Sequence, residues 1–320
     1  MALFRTYGEA RAGLGVGSDT LFLLFSQTKV LTTAAVWSLV EEGVLSFSDK
    51  VADHLPEFAA HGKGDITLFE VATHQGGFPS ADVSRETWTD HARMRREVCD
   101  FKPEWPAGSR LHYHGRSAHL TLAMVIEAAT GHDYRDVIRE RVIGPLGIGD
   151  ELYVGVPAAE QDRCADTNAS SSEPPRDNSA EMRAAGLPSG GGFGTARAMA
   201  AFYQMMLHGG KLGAVRLFSP RLIEFVTRDF TGDRPDEAMT NIPMHRGLGP
   251  HSRGTGGRIR GLGSLAAPVT YGHGGVGSSY CWADPSSGVS FAYVTNFVQP
   301  DPWHSARLDR ISNLVHAAIE

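Results

Sequence analysis

With 320 residues, 42% of them hydrophobic and 21% charged, the chain can bury a sizeable core and has the composition of an ordinary globular protein. A formal net charge of −6 excludes the electrostatic footprint of a nucleic-acid or anionic-membrane binder, so neither partner is expected. Cys99, Cys164 and Cys281 are odd in number and far apart, and the longest apolar run near the start, Leu21 to Phe25, has no signal-peptide layout. Both features point to reduced thiols and a cytoplasmic location.

Residues 1–25 read as strands. The run Gly13-Leu14-Gly15-Val16-Gly17-Ser18 lacks the third glycine of a dinucleotide fingerprint and the lysine of a phosphate loop, so it reads as a hairpin turn. Next comes Ser26-Gln27-Thr28-Lys29, followed by Val30 to Val40, which has the apolar content of a core helix ending near Gly43. A serine and a lysine three apart at a helix start share a face, about 5–6 Å apart at Cβ. The free N–H groups and the helix dipole favour a developing anion there, and a desolvated lysine can lose its proton near neutral pH. By itself the pattern is also met by a serine cap beside a solvated lysine.

The middle of the chain reads as mostly helical. His74 is expected to be a structural, hydrogen-bonded histidine. Tyr113 stands just before an apolar-periodic stretch, Leu120 to Thr130, where it can carry a proton. His112, His114 and His119 have chelating spacing but neither an HExxH pattern nor an acidic triad, so no metal is expected. Ala165 to Glu181 is a long polar loop that either borders a site or is simply mobile. Towards the end, Tyr271-Gly272-His273-Gly274-Gly275-Val276-Gly277 reads as an edge strand beside a reactive centre. It is followed by strands from Ser279 to Ala283 and Val289 to Asn296, then by a helix after Pro302. Gly274 and Gly275 would let a substrate approach the backbone, whose N–H groups could hold an oxyanion.

Taken together, these segments resemble the serine hydrolases of the penicillin-recognising fold, closest to class C β-lactamase-like and family VIII-type esterases, over nearly the whole chain. Ser26-Gln27-Thr28-Lys29 looks like the Ser-x-x-Lys motif, Tyr113-His114-Gly115 stands where the family carries Tyr-x-Asn, and His273-Gly274-Gly275 stands where β-lactamases carry Lys-Thr-Gly. The stretch Ile66 to Gly77, the run Pro145-Leu146-Gly147-Ile148 and the run Gly190 to Ala196 match connecting segments, the last being similar to a glycine-rich entry to another helix lining the site.

The resemblance implies an α/β fold: an antiparallel sheet flanked by helices with a large inserted helical region, short at its N-terminus. Residues 1–50 and 240–320 would form the sheet domain and 51–239 the helical domain, with the active site between them. Related enzymes carry a helix and a strand ahead of the segment matching Phe4 to Gly13, so either the reading frame begins upstream of Met1 or the sheet is truncated; a truncated sheet would expose an edge or face and favour a homodimer through the short N-terminal region or strand addition from a partner. The resemblance also implies catalysis by Ser26, Lys29 and Tyr113, an oxyanion hole from the N–H groups of Ser26 and Val276, and no cofactor or metal. Candidate substrate-binding residues are His273, Gly274, Gly275 and Trp282, although His273 could equally serve the fold and Trp282 could equally fill the core.

Gly115 and His273 depart from the β-lactamase pattern. They favour a carboxylesterase on small esters over a β-lactamase, a D-amino-acid peptidase or amidase, or a biosynthetic acyltransferase with the same machinery. A catalytically silent protein retaining the fold is the alternative of another class. The lack of a G-x-S-x-G elbow argues against an α/β-hydrolase.

Overall fold

The computed structural model describes residues 2–257 and 261–319. Strands β1 (Glu9–Arg11) and β2 (Leu14–Gly15) form the hairpin expected at the glycine run. β3 (Phe22–Leu23) leads into a short helical turn, Phe25–Gln27, and then into α1 (Thr28–Glu41). Nearly every residue of α1 from Thr28 to Trp37 is buried, which makes it a central helix packed on all sides. It ends where Gly43 takes the left-handed conformation, φ 73°.

α2 (Ser117–Thr130) packs against α1 and is also buried along most of its length, ending at Gly131 with φ 73°. Shorter helices, among them Leu68–Ala72 and His91–Cys99, surround this pair. Leu68–Ala72 begins at a capping box in which Thr67 Oγ1 accepts the Glu70 N–H and Glu70 accepts the Thr67 N–H. β4 (Leu152–Val154) and β3 flank β5 (Gly192–Gly194) in an antiparallel three-stranded sheet, with Phe22 opposite Gly194 and Tyr153 opposite Phe193. Thr195 caps the next helix, α3 (Ala196–Leu207).

The main sheet is built late in the chain from β6 (His251–Ser252), β7 (Tyr271–Gly274), β8 (Tyr280–Asp284) and β9 (Val289–Tyr293). All its pairings are antiparallel, in spatial order β9-β8-β7-β6. β7 is paired on both sides only at Tyr271 and Gly272, so its second half, His273 and Gly274, is an edge. α3 covers one face of β8 and β9, and α4 (Trp303–Ala317) covers the other. Among the described residues, 2–25 contribute no strand to this sheet; β1 and β2 pair with each other and β3 pairs with β5 instead.

Strand alternation decides the fate of Trp282. Cys281 and Ala283 face the main core under α3, whereas Tyr280 and Trp282 face α4. The Trp282 indole is fully buried, stacks on His316 at 4.4 Å and donates Nε1–H to Ser312 Oγ. It therefore fills the core behind the sheet and does not wall an acyl pocket. Trp282→Ala is expected to lower the unfolding free energy by about 3–5 kcal/mol while leaving the KM for an ester unchanged in the folded fraction. A raised KM without loss of stability would place the indole in the site after all.

Candidate active site

Phe25 carries φ 48°, a left-handed conformation that a bulky side chain adopts only under strain, at a cost on the order of 1–3 kcal/mol. Neighbouring backbone holds it. The Leu24 N–H donates to Gly192 O, Thr28 Oγ1 donates to Phe25 O and accepts the Gly192 N–H, and Gly190 lies against the Phe25 backbone. A side chain at Gly192 would fall 2.8 Å from Thr28 Oγ1, so close approach requires that glycine. The bend leaves Ser26 half-buried at the entrance to α1.

Lys29 follows one turn later and is fully buried. Its Nζ lies 3.2 Å from Ser26 Oγ, 2.7 Å from Gly115 O and 2.6 Å from Ser189 O. Burial, then the Arg246 and Arg116 charges, hold the Lys29 pKa well below its ordinary value. In the neutral amine, two N–H groups serve the two carbonyls and the lone pair faces the serine hydroxyl, which is the arrangement a base needs.

Tyr113 completes the group. Its ring centroid lies 5.2 Å from Lys29 Nζ, and its buried hydroxyl has no well-formed hydrogen bond among the described residues. Burial pushes the phenol up to about 12, with the Ser26 hydroxyl and the Arg246 charge acting against that rise. Histidines support the Tyr113 loop. His74 Nδ1 accepts the His114 N–H, His114 Nε2 accepts the Phe78 N–H, and His114 Nδ1–H donates to His112 O. These bonds give His74 and His114 fixed tautomers and a positioning role. His119, from α2, lies within hydrogen-bond reach of Thr33 Oγ1 on α1 at 3.2 Å.

β7 supplies the opposite wall, packed against the turn that carries Ser26. His273 is buried, with its ring 6.2 Å from Tyr113, Nδ1–H donating to Gly274 O and Nε2 without a partner among the described residues. Burial and the Lys29 charge bring its pKa down to about 3, so the ring is neutral. Gly274 and Gly275 are needed for packing. A side chain at Gly274 would meet the Tyr280 ring at 2.8 Å, and one at Gly275 would meet Leu24 O at 2.7 Å. That contact sets the Gly275-Val276 backbone beside the approach to Ser26.

Three contributors carry no sequence signal. Ser189 acts through its carbonyl, and Asp236 and Arg246 approach Tyr113 from a loop more than a hundred residues away. From the polar loop of residues 165–181, Arg176 lies over the ring of Phe25, the residue before Ser26, at 5.9 Å. The helix entered through Gly190–Gly192, α3, packs on β8 and β9, and Ser189 ahead of it reaches Lys29 through its carbonyl. Among the described residues one group, His91, Glu127 and Asp133, brings three possible metal-ligand atoms together, but Arg135 already grips Asp133 and the Tyr134 N–H occupies Glu127.

The sequence profile of the Beta-lactamase family matches residues 2–315. The chain belongs to that family. It is 27% identical to the esterase/beta-lactamase LipL of Mycobacterium tuberculosis, over 87% of this chain and 70% of LipL. Among solved structures, a family VIII carboxylesterase superposes with a TM-score of 0.83 at 27% identity, covering 96% of this chain and 87% of that one. A penicillin-binding protein homologue from Caulobacter crescentus gives 0.82 at 28% identity, covering 97% and 87%. No described helix is long and apolar enough to cross a membrane.

The buried histidines make stability depend on pH. Burial is the largest cause of the lowered pKa values of His74, His114, His119 and His273, with His114 at about 4 against an ordinary value of 6.5. Below 6.5 the unfolded chain takes up protons that the folded protein refuses. Stability is therefore complete above that pH and falls as pH drops towards 4, with His114 alone accounting for ~3 kcal/mol. Urea midpoints measured from pH 7.5 to 4 are expected to fall steeply, and less steeply in His114→Gln. A flat profile would mean that these rings titrate normally.

Proposed function

We propose that the chain is a serine hydrolase that forms a covalent acyl-enzyme and acts on small carboxylic esters. The observation that carries this reading is Lys29 Nζ at 3.2 Å from Ser26 Oγ with carbonyls on its other side. Ser26 Oγ attacks the ester carbonyl as its proton passes to Lys29. The N–H groups of Ser26 and Val276 hold the oxyanion, and Tyr113 together with Lys29 returns the proton to the departing alkoxide. Water then enters, gives its proton to the same pair and releases the acid, restoring Ser26.

Small esters are favoured because the position facing the substrate from β7 is a neutral histidine. A β-lactam would find no charge for its carboxylate at His273 and no side-chain amide partner for its own amide at Gly115. Hydrogen bonds to charged groups contribute about 1.5–3 kcal/mol, so these two losses are worth on the order of 10²-fold in kcat/KM. The names of the carboxylesterase and of LipL fit the same reading. A cytoplasmic location is in keeping with three cysteines that are buried and unpaired.

With p-nitrophenyl butyrate, Ser26→Ala should lose nearly all turnover, and quenched wild-type protein should carry an acyl adduct on the Ser26 peptide. Persistent turnover in the alanine variant would reject the assignment. Lys29→Ala and Tyr113→Phe should each lower kcat by about 10²–10⁴-fold, with the double variant far above the product of the two. Independent, multiplicative losses would separate the two residues into different steps. In a side-by-side screen, kcat/KM for the ester should exceed that for nitrocefin by at least ~10²-fold. Efficient nitrocefin hydrolysis would transfer the assignment to a β-lactamase with the same acyl-serine chemistry.

A further inference from the structure

Asp236 and Arg246 form an ion pair that is shielded from water, with side-chain exposures of 0% and 3%. Asp236 Oδ2 accepts from Arg246 Nε at 2.9 Å and Nη2 at 2.5 Å. Its other oxygen accepts the Tyr113 backbone N–H at 3.0 Å and the Ala238 N–H at 3.2 Å. The guanidinium carbon lies 4.7 Å from the Tyr113 ring centroid. The Arg246 N–H donates to Thr231 Oγ1, and Arg246 O accepts the Phe230 N–H, so the side chain starts from a fixed backbone.

Stability alone is a poor reason for such a pair, because apolar residues of similar volume often replace a buried ion pair at no cost. Its placement is more telling, since one end holds the backbone of Tyr113 and the other holds a charge against its ring. We propose that Asp236 and Arg246 are a positioning pair that fixes Tyr113 and sets the electrostatic field of the Ser26–Lys29–Tyr113 proton path. This rests on the acyl-serine reading above. A positive charge here disfavours an ammonium on Lys29 and favours a phenolate on Tyr113, which raises the fraction of each in its proton-accepting form near neutral pH.

Other groups facing this centre are fixed or uncharged. His74, His114 and His119 from the helical side and His273 from β7 have lowered pKa values, with burial the largest cause of each. Arg116 is half-exposed and paired with Asp82 at 2.9 Å. Asp236 opposes the effect of Arg246 on Tyr113, where the Arg246 charge outweighs it, and the Arg246 charge also lowers the Lys29 pKa.

The test is the pH dependence of Ser26 labelling by a fluorophosphonate, which reports activation of the serine without reference to the natural substrate. Asp236→Asn keeps an acceptor for the Tyr113 N–H and leaves the Arg246 charge unopposed, so the acidic limb should move down by about one pH unit. Asp236→Asn/Arg246→Met removes both charges, and the limb should move up by about one unit. Arg246→Lys retains the charge and should keep the midpoint near that of the wild type, at a reduced rate. If the double variant does not fold, the downward shift in Asp236→Asn carries the test, with Arg246→Lys as the unshifted control. Thermal melts of each variant separate lost structure from a moved midpoint. Shifts of opposite sign support the pair as an electrostatic device. Unmoved midpoints, with changes only in melting temperature or overall rate, would overturn it and leave the acyl-serine reading intact. Failure of wild-type Ser26 to label would overturn both.

Discussion

A lysine taken out of water without an acid partner is costly, by several kcal/mol if it stays charged. Lys29 is in that position: it is fully buried, and no carboxylate pairs with it among the described residues. Oxygens from three distant places meet it instead, the Ser26 hydroxyl from its own helix start, the Gly115 carbonyl from the turn before α2, and the Ser189 carbonyl from the segment before β5. Each element has to arrive within about 3 Å of one nitrogen, the ordinary range of a hydrogen bond. The close packing of α1 against α2, and of the Ser26 turn against β5, follows from that demand as much as from apolar burial.

The same constraint explains where the fold stores strain. Ser26 must present its hydroxyl at the mouth while Lys29, three residues on, stays inside. The chain achieves this with a left-handed Phe25 held by bonds between Leu24, Thr28 and Gly192. Gly191 and Gly192 leave no room for a side chain, because Leu187 N and Thr28 Oγ1 lie against them. Below the turn, Trp37 anchors α1 from the other side, donating Nε1–H to Leu248 O and meeting Phe218 edge to face at 5.7 Å. A loosened core at Trp37 would reach the nucleophile through a single rigid helix.

Charge around the site is arranged by desolvation more than by pairing. Four histidines are kept neutral, the lysine is pushed towards its amine form, and among the described residues a buried ion pair, Asp236 with Arg246, lies against Tyr113. Such an interior keeps its electrostatics strong, because little water screens them. It also makes the protein sensitive to acid, since the rings that must stay neutral for packing are those an unfolded chain would protonate first.

Much of this was legible in the sequence. Periodicity and glycine stops predict α1 and α2 closely, the turn after Ala283 predicts the β8–β9 hairpin, and spacing alone puts Ser26 and Lys29 on one face, because these are local properties of the backbone. Alternation in β8 shows that Cys281 and Trp282 face opposite ways, but it cannot say which way the reactive centre lies; α4, packed behind the sheet, decided that Trp282 is core. The glycines of β7 are visible as glycines, yet that Gly274 makes way for Tyr280 depends on strand register. The first 25 residues have strand character, and only pairing free energy directs them to β5 rather than to the main sheet. Ser189, Asp236 and Arg246 have no motif because they act through a carbonyl on Lys29 or through a local ion pair set against Tyr113, and those contacts with Lys29 and Tyr113 exist only once segments separated by a hundred residues or more have been folded together.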